Sequence, residues 1–144
     1  MQSKKWESNK GSYVGQQQED KDIEFFKKHV LELNRQRELY DDFCDHALAF
    51  AEKLKNGKVN TTMIRKIYTR ILNAKKAEDI KLLRPHFAYT SGRNEKNRTL
   101  KSFMDLLDYL AKKMELDNKE HVDNFKQFME AIVAYRKYVG GDEN

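Results

Sequence analysis

The stretch Asp117-Asn118-Lys119-Glu120-His121-Val122-Asp123-Asn124-Phe125-Lys126-Gln127-Phe128-Met129-Glu130-Ala131-Ile132-Val133-Ala134-Tyr135-Arg136-Lys137-Tyr138 decides the fold. Val122, Phe125, Phe128, Met129, Ile132 and Val133 recur at steps of three or four, the spacing that gathers apolar groups on one face of a helix. Asp117 and Glu120 stand at capping-box spacing ahead of the stripe, and Gly140-Gly141 follows it, so the segment predicts a helix with a start and a stop. Working backwards, Leu100, Phe103, Leu106, Leu107, Leu110 and Met114 predict a second such helix from about Thr99. Ile64, Ile67, Tyr68, Ile71 and Leu72 predict a third, capped by Asn60-Thr61-Thr62. Between these two, Pro85 suits the first turn of a short helix that Gly92 would end. No segment alternates long enough to be a strand. The fold class expected is therefore all-α, a bundle of about five to six helices.

One segment resists a simple reading. Ile23, Phe26, Val30, Leu33, Tyr40, Phe43, Ala47, Ala51 and Leu54 keep helical spacing, with Arg37 in the one gap. Unbroken, this run would be a rod about 50 Å long, more than one small domain can cover with its own helices. A break near Asn34 to Arg37 is the expectation, with a long first helix swapped or dimerised between chains as the alternative. Residues 1–20, with Gln16-Gln17-Gln18 and few large apolar groups, read as a flexible tail before a single helical domain over 21–144.

Of 144 residues, 35% are charged and 39% hydrophobic, which suits a helical body with much solvated face. The net charge of +5 is zoned. From Lys58 to Lys101, twelve Lys and Arg face three Asp and Glu, a net of +9, while the flanks before and after carry −1 and −3. Tyr68, His86, Phe87, Tyr89 and the expected turn Ser91-Gly92-Arg93 interleave with these cations. Phosphate donors, stacking surfaces and a close-approach glycine in one zone point to a nucleic-acid backbone as partner. The candidate contacts are Arg65, Lys66, Arg70, Arg84, Tyr89, Arg93, Lys96 and Arg98, the arginines foremost because a guanidinium grips phosphate with two parallel donors.

Other chemistry finds little support. Asp41, Asp42, Asp45 and His46 are the one dense set of ligating or acid–base groups, and they read as a solvated helix face rather than a metal nuclease. No phosphate-cradling glycine motif occurs, and lone Cys44 reads as a small buried or half-buried apolar group. No cofactor and no metal are expected. Neither an apolar run of membrane length nor a secretory leader is visible, so a cytoplasmic protein with no membrane partner is the expectation.

Three blocks carry a resemblance: Asn60-Thr61-Thr62-Met63-Ile64-Arg65-Lys66-Ile67-Tyr68; Leu82-Leu83-Arg84-Pro85-His86-Phe87-Ala88-Tyr89-Thr90-Ser91-Gly92-Arg93; and Phe128-Met129-Glu130-Ala131-Ile132-Val133-Ala134-Tyr135-Arg136 with Gly140-Gly141. In this order and spacing the chain resembles the small subunit of the type III-A CRISPR-Cas effector, the Csm complex. The likeness spans about Val59 to Gly141, with Phe87 where leucine is more usual. It implies a helical bundle that is not an enzyme by itself. Copies would stack as an inner filament beside a repeated backbone subunit, lining the groove that holds the CRISPR RNA paired with its target RNA. Nuclease and cyclic-oligoadenylate chemistry would belong to other subunits, the large subunit among its partners. Unequal charge along the chain favours head-to-tail stacking, and an isolated subunit could instead form a symmetric dimer. A protein–protein adaptor, its basic zone docked on acidic neighbours, is the competing expectation.

Overall fold

The apolar stripe that begins at Ile23 does not form one rod. In the computed structural model, which describes residues 21–142, α1 (Lys21–His29) gives way to two short 3-10 turns, Val30–Arg35 and Arg37–Leu39, before α2 (Tyr40–Asn56). Backbone angles leave the helical region at Glu32 (φ −113°, ψ 18°) and at Gln36 (φ −129°, ψ 57°). Arg37 therefore fills no position on a helix stripe; it is exposed because the helix is interrupted there. The expected break near 34–37 is present, and no second chain is needed to cover an overlong helix.

What holds the break is a polar side chain in the apolar stripe of the last helix. Interrupting a helix strands backbone groups that must find partners if buried. Asn124, only 2% exposed, donates from Nδ2 to the Leu31 carbonyl (2.7 Å) and to Asn34 Oδ1 (2.8 Å). Its own Oδ1 accepts from the Asn34 amide (3.2 Å). Around it, His121 Nε2 meets Glu32 Oε2 at 3.0 Å and Arg35 donates to Glu120 at 2.9 Å.

The remaining elements are α3 (Thr61–Leu72), α4 (Ala77–Lys81), α5 (Arg84–Arg93), α6 (Arg98–Lys113) and α7 (Lys119–Val139). No strand occurs among the described residues, and the bundle is all-α as the stripes predict. Six helices have nine residues or more; α4 is a single five-residue turn. The expected tail over 1–20 lies outside the described residues.

Helix α7 runs through the middle, packing on α2, on α3 and on the 30–35 turn, while α5 lies against α6. Phe125, Phe128, Met129 and Ile132 of α7 are fully buried, as are Phe26, Phe43 and Leu54 from the N-terminal half. Phe26 is the hub, with ring centroids 4.9 Å from Phe128, 5.6 Å from Phe50 and 6.1 Å from Phe43 in tilted and edge-on contacts. Each such phenyl, removed from water, contributes roughly 1.5–3 kcal/mol before conformational entropy is set against it.

Local turns fix the start of α3, the start of α7 and the end of α2. Asn60 accepts from the Met63 amide (2.9 Å), as its position predicts. At α7 the cap is Asn118, which accepts from the His121 amide (3.0 Å), one residue later than expected. Asp117 has φ 66° and cannot cap; it turns the chain into the helix instead. At the end of α2 the left-handed residue is Lys58 (φ 64°), not Gly57. The Val59 amide reaches back to the Leu54 carbonyl (2.9 Å) and the Lys58 amide to Lys55 (3.0 Å), the bonding of a Schellman turn with its usual apolar contact, here between fully buried Val59 and Leu54. Gly57 is required for a different reason: a Cβ there would fall onto the side chain of Thr99.

Candidate nucleic-acid interface

Helix α3 docks on α7 by Ile64, Ile67 and Ile71, which are buried, and this orients Lys66 and Arg70, one turn apart, toward α5. Pro85 occupies the first turn of α5, and Phe87 is the one fully buried side chain of that helix. Anchoring α5 on α6 by Phe87 turns His86, Tyr89, Thr90 and Arg93 toward α3. Between the two helices lies an open cleft of about 630 Å³ with Met63 and Ile67 in its lining. Ser91-Gly92-Arg93 is not the loop turn the sequence suggested. It is the last turn of α5, which closes at Asn94, so Gly92 does not end the helix.

The cleft is electropositive and aromatic together. Tyr89 is 60% exposed, with the His86 ring 6.4 Å away at an interplanar angle of 27° and the Arg93 guanidinium 5.8 Å from its centroid. Burial, and then the positive charge of Arg70, push His86 below its ordinary value of 6.5, so at neutral pH it is an uncharged imidazole with one donor and one acceptor. Lys66, Arg70 and Arg93 make no ion pair among the described residues. Their charge is available to a ligand.

The remaining sequence candidates fall outside this cleft. Lys96 sits in the adjoining turn, sharing a shallow hollow with Arg93 and with Glu95. Arg65 and Arg98 are exposed and line neither hollow. Arg84 faces α6, where its Nε and Nη2 donate to the two carboxylate oxygens of Asp108 at 2.6 and 3.2 Å. That pairing holds the guanidinium above its usual range. Lys81, beside it, donates to the carbonyls of Ala111 and Lys112 (2.8 and 2.9 Å) and so closes the C-terminus of α6. Part of the basic zone is therefore structural. Spacing along a helix is local, whereas the choice of partners inside the fold is not; the i, i+4 register of Lys66 and Arg70 puts those two on one face.

Outside the basic zone, His46 of the acidic set pairs through Nδ1 with Asp22 (2.7 Å), which also holds Lys53 (2.9 Å), while Asp41, Asp42 and Asp45 are exposed. Among the described residues no three His, Cys, Asp or Glu side chains converge as metal ligands. Cys44 is half-buried, and hydrogen bonding to it, then burial, push the Tyr135 hydroxyl up to about 12. No described helix is long and apolar enough to cross a membrane.

Two features that sequence reasoning missed hold α3 in place. Lys126 of α7 donates to the carbonyls of Leu72 and Ala74 (3.2 and 2.6 Å), closing the C-terminal end of α3. Arg136, 2% exposed, donates to the carbonyls of Val59 (2.9 Å) and Gly140 (2.6 Å) and to Asp142 Oδ1 (2.9 Å). Asp142 in turn accepts from the amide and hydroxyl of Thr61, the first residue of α3, and its carboxyl is held below the usual carboxylate range by that hydroxyl and by Arg136. The visible signal was a charged residue four positions after Ile132, continuing the apolar stripe.

Residues 37–142, which include every residue of the cleft, match the family described as Csm2 Type III-A. The chain belongs to the Csm2 family. A relative from Streptococcus thermophilus, named "CRISPR system Cms protein Csm2", is 31% identical to it over 118 residues, spanning 74% of this chain and 95% of that protein. No solved structure matches the chain significantly. As a Csm2 protein it is the small, structural subunit of a multi-subunit type III-A CRISPR complex. The Csm2 match begins at residue 37, the first residue of the second 3-10 turn between α1 and α2.

Proposed function

We propose that this Csm2 protein is a non-catalytic RNA-binding subunit whose α3–α5 cleft holds the backbone of the target strand paired with the guide. Lys66 and Arg70 on one wall and Arg93 on the other supply the phosphate contacts, with Lys96 extending the track. The observation that carries this reading is that three cations face one open cleft without an ion-pair partner among the described residues, beside an exposed tyrosine. Arg84, tied to Asp108, is assigned to the fold instead. Contacts of this kind carry no sequence information, and none is needed where a guide strand supplies it. Head-to-tail stacking of copies along the groove fits the unequal charge of the chain, a basic centre between mildly acidic flanks.

The test is a salt titration of target-RNA retention by the assembled complex containing Lys66→Ala, Arg70→Ala and Arg93→Ala together. Each cation that releases a counterion contributes roughly 0.7 to 0.9 to the log–log slope, so losing three lowers it by about 2. An unchanged slope with unchanged retention refutes the assignment. If the variant instead fails to enter the complex while RNA retention by the remaining subunits is intact, the adaptor reading replaces it.

A further inference from the structure

Phosphate recognition alone leaves much of the cleft unexplained. Cations on a flat helix face suffice for a backbone contact, and a phosphate gains nothing from an apolar lining or a hollow. Here the lining includes Met63 and Ile67, and the wall of α5 presents the Tyr89 ring, 60% exposed, beside the His86 ring and the Arg93 guanidinium. The volume, about 630 Å³, lies within the range of about 300–1,000 Å³ that small-molecule sites occupy. An apolar slot with one aromatic wall and cations at its rim is the arrangement by which single-stranded nucleic acid is held: the ring takes a base and the cations take the flanking phosphates.

We propose that the cleft admits one unpaired RNA base, laid on Tyr89 between α3 and α5, with the phosphates on either side of it held by Lys66, Arg70 and Arg93. This deepens the reading above and rests on it. A base inside a continuous duplex has both faces covered by its neighbours, so only a nucleotide turned out of the stack can enter. The subunit would thereby favour strands that carry an unstacked position. Arg93, now over the Tyr89 ring at 5.8 Å, would leave that weak contact for a phosphate as the base arrives. Stacking tolerates any base, and the neutral His86 imidazole beside the ring offers one donor and one acceptor to a base edge.

The experiment uses the full chain and three fluorescein-labelled RNAs of equal length: a single strand, the same strand with one abasic position in its centre, and a fully paired duplex. Short strands keep the binding to one subunit, so that the abasic position can matter. Tyr89→Leu keeps apolar volume and removes the ring; Tyr89→Phe keeps the ring. Expected are a loss of roughly 5- to 150-fold in single-strand affinity for Tyr89→Leu, no loss for Tyr89→Phe, and an unchanged salt slope in both. Duplex affinity stays as in the unaltered chain, and the abasic strand binds the unaltered chain more weakly than the intact strand does. Equal affinity of Tyr89→Leu and the unaltered chain for the intact strand, or of the unaltered chain for abasic and intact strands, overturns the inference. A Lys66→Ala, Arg70→Ala pair measured alongside separates the two failures: if it flattens the salt slope while Tyr89→Leu changes nothing, base insertion is wrong and phosphate holding stands.

Discussion

Replacing Arg136 by methionine tests how much of this fold depends on one buried cation. The thioether keeps the stem's packing but removes three donors: to the Val59 carbonyl, to the Gly140 carbonyl and to Asp142. Gly140 is only half-buried and its carbonyl can turn to water, and Asp142 keeps its bonds to Thr61, so neither loss is complete. The Val59 carbonyl belongs to a residue with no exposure, and leaving such an acceptor unpaired costs about 1–3 kcal/mol. Adding the charge-assisted bond to Asp142, worth roughly 1.5–3 kcal/mol, gives an expected destabilisation of about 3 kcal/mol, or about 10 °C in Tm at this chain length. Urea unfolding followed by circular dichroism measures it. Asp142→Asn should lose less, because its one amide oxygen can still accept from Arg136 while its amide nitrogen can donate to the Thr61 hydroxyl oxygen, so that only the Thr61 amide contact is weakened. A loss below about 1 kcal/mol for Arg136→Met, or an equal loss for both variants, would refute the claim that Arg136 is the centre of the clasp.

Lys58→Gly should stabilise the protein by about 1 kcal/mol in the same assay, since the left-handed φ of 64° strains any side chain but not glycine; a loss would show that the Lys58 stem packs on the fold. Gly92→Ala, in open space within the last turn of α5, should gain about 0.5–1 kcal/mol, and RNA retention in the complex reads whether the strand needs a bare backbone there. His86 has a folded-state pKa below its unfolded one, so its neutral form stabilises the fold fully above the ordinary value of 6.5 and progressively less as pH falls through that value. His86→Gln should therefore flatten the stability profile between pH 7 and pH 5, and an unaltered profile would mean that other groups set it.

Helix content and its punctuation were legible because they are local. The stripes on α3, α6 and α7, the Asn60 cap and Pro85 at the head of α5 depend on residues within one or two turns of each other. The break between α1 and α2 was legible only as a conflict between stripe length and domain size; its cause, Asn124, lies some ninety positions away on α7. Asn118 displaced Asp117 as the α7 cap because the backbone turns through a positive φ at Asp117, which no pattern of residue types encoded. The basic zone was visible as a count. Its division into a cleft-facing set and a set spent on Asp108 and on the end of α6 was not, because charge along a chain says nothing about which side of a helix meets a carboxylate.

The two walls of the cleft are fastened in different ways. One is fastened at each end, by the Arg136–Asp142–Thr61 clasp below and by Lys126 above, and lies along the central helix. The other packs along α6 around Phe87, its one fully buried side chain, with the Arg84–Asp108 pair bridging the two helices. The width of the cleft is thus set by two separate anchorages, one on α7 and one on α6. Trimming Phe87, which is buried away from the cleft, should therefore alter how the cations on the two walls are spaced for a strand.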